Sequence, residues 1–224
     1  MIFPLIGVAF TAIASAVTSI GPAVAGFCAN VLPKIAPLLE KGLEILRVVG
    51  NIASTVSQVI GIFKSDESTE DIGDRAIQAA DKGITPDGYE THGDYMNALR
   101  NFELDPEKSA KLTEPQKIMS GLAVAGRGLD EKFDTPEGTM GNLWVMAAAK
   151  PEYFTADKLT QYLKTGQDIM SIADYFEGKL GGGESLEVED KLVELDKSTA
   201  PEQEEKSIRS QIYAAAEAVQ KQDQ

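Results

Sequence analysis

FPLIGVAFTAIASAVTSIGPAVAGFCANVLPKI, residues 3–35, contains a single charged side chain, Lys34, and residues 1–33 contain none. Apolar residues recur here in the three-four alternation of a helix seam: Phe3, Ile6, Phe10, Ile13, Val17, Ile20, Val24, Phe27, Val31. One extra four-residue step leads to Ile35. The alternation resumes at Leu38 and Gly42 and continues through Ile45, Val49, Ile52, Val56, Val59 and Phe63. Two adjacent four-residue steps are a stutter, which locally unwinds a supercoil. The stutter falls beside Pro33 and Pro37, where a helix kinks or breaks.

The positions off this seam separate the segment from a soluble coiled coil, which would carry Glu and Lys there. This one carries Gly7, Ala9, Thr11, Ala12, Ala14, Ser15, Ala16, Thr18, Ser19 and Ala23. A helix that is apolar or small on every side is enclosed. Small residues also let helices approach closely. The spacing predicts helices over 3–20, stopped by Gly21-Pro22, over 22–32, and over 37–63. Residues 5–32, as one straight helix at about 1.5 Å per residue, would reach roughly 42 Å, enough to span a bilayer. Residues 43–63 carry Glu44, Arg47, Asn51 and Gln58, so that stretch is amphipathic. It suits an interface or a helical partner better than bulk lipid. Three enclosures fit the arm: a membrane, a helical bundle of copies or a larger particle, or the chain's own body. The last is disfavoured, because a monomer of this size seldom needs so long an apolar seam.

The remaining sequence is acidic. The chain carries a net charge of −14, and residues 1–64 hold four basic and two acidic side chains, so the rest carries −16. Such a balance does not suit phosphate neutralisation, and no nucleic-acid partner is expected. From residue 65 onward the punctuation is that of short helices. Ser68 caps one to about Lys82, and Asp94 to Phe102 forms another. Asp105-Pro106 starts a third, and Thr113-Glu114-Pro115-Gln116 is a capping box opening a helix to about Lys132. Thr135-Pro136-Glu137 opens the next, ending at Pro151; Thr155 caps one, and Gly166 separates it from the helix bearing Ile169 to Phe176. Gly181-Gly182-Gly183 reads as a flexible break before helices at 186–196 and 200–221. No stretch has the period-two pattern of a strand.

The expected fold is therefore all-α: an apolar arm over 1–64, broken near 21–22 and 33–37, an acidic helical body over 65–180, a glycine-rich break at 181–185 and C-terminal helices over 186–224.

Site chemistry is thin. His92 is the sole histidine and sits in turn-rich sequence, where a surface role is expected. Cys28 lies among apolar residues, where a thiol is inert, and one cysteine with one histidine makes no zinc site. The acidic clusters read as caps and solvated faces, and no calcium-loop spacing is present. Gly126-Arg127-Gly128 follows a helical pattern and not a strand, so a helix kink or close helix packing is expected there rather than a phosphate loop. Trp144, Tyr153, Phe154, Tyr162, Tyr175 and Phe176 read as core. No catalytic, cofactor or metal residues are assigned. No cleaved secretory signal is expected, since the first basic side chain is Lys34.

These features favour a non-enzymatic structural component of a multi-subunit assembly, its arms forming a buried bundle, with a phage-tail or injection-type particle as one setting. The expected partners are further copies of the chain and other assembly subunits. The competing expectation is a membrane-inserting or pore-forming protein using residues 3–32; an enzyme whose site the sequence does not show ranks third.

Overall fold

The computed structural model describes residues 3–35, 37 and 42–221, with side chains from Phe10 onward. The described residues are all helix, turn and loop, with thirteen α-helices and no strand. The N-terminal segment forms α1 (Phe3–Ser19), a single 3₁₀ turn (Pro22–Val24), α2 (Ala25–Asn30) and α3 (Leu32–Ile35), followed by α4 (Leu43–Ile60). The break after α1 falls at Gly21, whose φ of 127° no side chain favours, followed by Pro22.

Next come α5 (Thr69–Ala80), α6 (His92–Asn101), the one-turn α7 (Pro106–Ser109) and α8 (Glu114–Lys132). Their starts follow the sequence. Ser68 Oγ accepts from Asp71 N–H at 3.1 Å, and Gln116 Oε1 accepts from Thr113 N–H at 2.8 Å. The C-terminal half holds α9 (Asn142–Ala149), α10 (Ala156–Lys164), α11 (Ile169–Phe176), α12 (Gly182–Thr199) and α13 (Glu205–Gln220).

The helix expected over 22–32 is divided into the 3₁₀ turn, α2 and α3, and the one expected over 37–63 is α4, bounded by Gly42 at φ 117° and Gly61 at φ 83°. Three further boundaries differ, each for a local reason. The helix expected from Pro136 starts at Asn142. The buried Asp130 carboxylate accepts from Gly138 N–H at 2.7 Å and Met140 N–H at 2.8 Å, which commits that backbone to turns. The glycine run is helical from Gly182, with Gly181 as N-cap. Glycines cost less in a first turn, whose N–H groups have no partner within the helix. Because α12 continues to Thr199, the last helix begins at Glu205 and not at Thr199-Pro201.

The N-terminal helices lie against the body. Helix α8 is central: α5 packs along it most extensively, with α4, α1 and α6 also against it. The α5–α8 contact brings backbone to backbone. A Cβ on Gly121 would stand 1.8 Å from Thr69 O, and one on Gly73 1.8 Å from Lys117 O. Helix α4 also reaches α9 and α10, joining this layer to the α9–α13 group. One continuous apolar core results, containing Trp144, Phe154, Tyr162 and Phe176. Trp144 Nε1–H donates to Leu122 O at 3.1 Å, so its polar edge is satisfied inside the core.

Candidate docking surface

The seam residues divide between interior and surface. Ile13, Val17, Ile20, Val24, Phe27, Val31 and Ile35 are all at most 3% exposed and sit in the chain's own core. Phe10 is 38% exposed. Phe3 and Ile6 fall in α1 with side chains outside the described ones, and Leu38 is outside the described residues altogether. On α4, Val49 and Val56 are fully buried, Ile45 and Ile52 half-buried and Val59 exposed, while Phe63 beyond the helix is buried.

The stripe that α4 buries is therefore Leu46, Val49, Ala53, Val56 and Ile60, rotated from the seam. Its neighbours on that face, Gly50, Ser54 and Ser57, are small and let α5 and α8 come close. Thr69 N–H donates to Ser54 Oγ at 2.9 Å, and Thr69 Oγ1 donates to Gly50 O at 3.2 Å. Of the seam read from spacing only Val49 and Val56 lie on this stripe; Leu46, Ala53, Ile60 and the small-residue face escape it, because which side is buried depends on what lies opposite.

With the inner stripe occupied, the outer face of α1 to α3 is what remains. Among the described residues from Phe10 to Pro33, every exposed position is uncharged, including Thr11, Ser15, Thr18, Ala25, Ala29 and Asn30. At the break, Thr18, Gly21, Pro22, Ala25, Cys28 and Ala29 line an open groove of about 540 Å³. Burial, with the Glu137 carboxylate nearby, pushes the Cys28 thiol up and keeps it protonated and unreactive at neutral pH.

Four polar links fix these helices to the body. Gln116 Nε2 donates to Ala12 O at 3.3 Å, Ala23 N–H to Asp87 Oδ2 at 3.3 Å, and Gly26 N–H to Glu137 Oε1 at 2.7 Å. Lys34 Nζ pairs with Glu177, whose side chain is 4% exposed and is also bridged by Lys179. The two lysines hold the Glu177 carboxyl below its usual range although burial opposes them. Glycines close the same junction: a Cβ on Gly26 would lie 2.5 Å from Glu137 O.

Buried polar groups elsewhere act as struts. Lys158 stands 3.5 Å over the Tyr153 ring and 2.8 Å from Asp196, joining α10 to α12. Burial pushes its ammonium down, opposed by the Asp196 hydrogen bond. Arg209 bridges Glu189, Asp190 and Glu205 and so ties α13 to α12. His92 corrects the surface expectation: it is 7% exposed, and neither ring nitrogen has a hydrogen-bond partner. It opens α6 against α8, where a Cβ on Gly128 would meet its Nε2 at 2.6 Å. Gly128 thus serves close packing. The turn-rich sequence around His92 gives no sign of the cover that α8 provides. Among the described residues no three His, Cys, Asp or Glu side chains are grouped to hold a metal ion.

No family model matches the chain, no curated protein matches it, and no solved structure matches its fold.

Proposed function

We propose that this protein is a non-enzymatic structural subunit that assembles with further copies of itself through the outer face of α1–α3. The observation that carries the reading is the absence of charge from every described exposed position between Phe10 and Pro33, on a chain of net charge −14. A solvated face of this length ordinarily carries Glu and Lys. Apposing two such faces buries small and apolar groups while keeping the acidic bodies apart, which lowers like-charge repulsion. Small residues at the contact permit close helix approach. The inner stripe then stabilises each chain, and the outer face joins chains.

Sedimentation velocity on the full chain tests this, with Ser15→Glu/Ala25→Glu as the comparison. Both positions are exposed, so the double variant keeps the fold and its thermal midpoint within about 3 °C. The expected result is a defined oligomer for the parent chain and a monomer for the variant. A parent chain that stays monomeric and floats with liposomes supports membrane insertion instead. One that is monomeric and ignores liposomes defeats self-assembly.

A further inference from the structure

The helix break at Gly21-Pro22 is finished by the body and not by the segment that contains it. Neither Gly21 nor Val24 supplies a side-chain cap to the helical turns that follow. The N–H groups left over at such a restart need acceptors. Here they find them on two distant carboxylates, Asp87 for Ala23 N–H at 3.3 Å and Glu137 for Gly26 N–H at 2.7 Å. The backbone is seated as closely as the caps. A Cβ on Gly138 would lie 2.7 Å from Gly26 C, and one on Gly141 2.4 Å from a Val31 methyl. The water-sized space left beside Phe27 and Gly138 is about 10 Å³. At the far end, Lys34 pairs with Glu177.

Two kinds of contact thus hold residues 10–35. The apolar stripe is non-directional, and any apolar surface of the right width serves it equally. The caps and the glycine seat depend on this body alone.

We propose that Asp87 and Glu137 form a clasp, and that residues 10–35 open from the body as one unit when it is undone. The clasp decides between body and alternative cover because it is the part of the interaction that no other apolar surface reproduces. Conformation and docking are coupled, since the segment loses its caps when it leaves its seat. The inference adds a mobile element to the assembly reading without depending on it: assembly is read by mass, the clasp by amide exchange.

Hydrogen exchange followed by mass spectrometry on the full chain tests the clasp, comparing the parent with Asp87→Ala/Glu137→Ala. Peptides covering 10–35 are expected to exchange at least tenfold faster in the variant, while those of α10 to α13 keep their parent rates. Asp87→Asn/Glu137→Gln retains a carbonyl oxygen at each cap and is expected to restore most of the protection. Unchanged exchange in 10–35 overturns the proposal, because the caps then hold nothing. Equal acceleration throughout the chain, or global unfolding of the alanine variant, also overturns it, because the segment is then not a separate unit.

Discussion

His92 is neutral in the folded chain. Burial comes first, then Arg127 and Arg100, in pushing its pKa from 6.5 down to about 4. The unfolded chain therefore takes up the proton first. Its contribution to stability is complete above pH 6.5 and is lost as pH falls through about 4. The shift corresponds to about 3 kcal/mol. Urea titrations at pH 7, 5.5 and 4.5 should show stability falling, and His92→Leu, whose aliphatic side chain takes up no proton, should reduce that slope. The hydrophobic seam makes a second residue-scale test. Val49 and Val56 are fully buried in the chain's own core, while Thr55 is exposed. Val49→Asp or Val56→Asp should cost roughly 4 kcal/mol or more, a large part of the roughly 5–15 kcal/mol that holds an ordinary domain folded, because each buries an unpaired charge. Thr55→Asp should stay within about 0.5 kcal/mol by the same denaturation assay.

At the scale of elements, α8 is the helix whose neighbours leave it no slack. Gly121→Ala would drive a Cβ to 1.8 Å from the Thr69 carbonyl, a backbone atom that no rotamer change moves. A loss of roughly 3 kcal/mol or more, read by thermal melting, is the expected outcome. Helix identity was largely legible in advance. The caps at Ser68, Thr113 and Thr155 start α5, α8 and α10 where local chemistry says they should. Legibility stops where distant groups intervene. Asp130 holds the backbone of 138–140 in turns, and Gly73 and Gly121 act only through the crossing they permit. Likewise Glu137 reads in sequence as part of a helix start and nothing local marks Asp87 as a cap, since the N–H groups they accept from are 111 and 64 residues away.

For the whole molecule, the periodicity of residues 10–35 identified which side chains are enclosed but not by what. Seven seam residues from Ile13 to Ile35 face the chain's own core. The outer face from Phe10 to Pro33, equally free of charge at its exposed positions, is left uncovered by the described residues. That division sets the expectation that adding Glu at Ser15 and Ala25 changes the mass of the assembly and leaves folding intact, whereas Val49→Asp acts on the stability of the single chain. Helix α4 is long and apolar enough to cross a membrane by composition, yet 44% of it is buried among α5, α8, α9 and α10. Its apolar character is used in joining the two helical groups.

The span between Gly26 and its cap also has a meaning in time. Glu137 is 111 residues downstream, and Glu177 is 143 residues beyond Lys34. At synthesis rates of about 5–20 residues per second, the most apolar segment emerges from the ribosome roughly 5–20 s before its seat exists. During that interval it is a long uncharged ribbon with nothing of its own to cover it. Nascent chains ending near residue 110 should therefore be bound by chaperones that recognise apolar segments, and chains extended past residue 180 should be released by them.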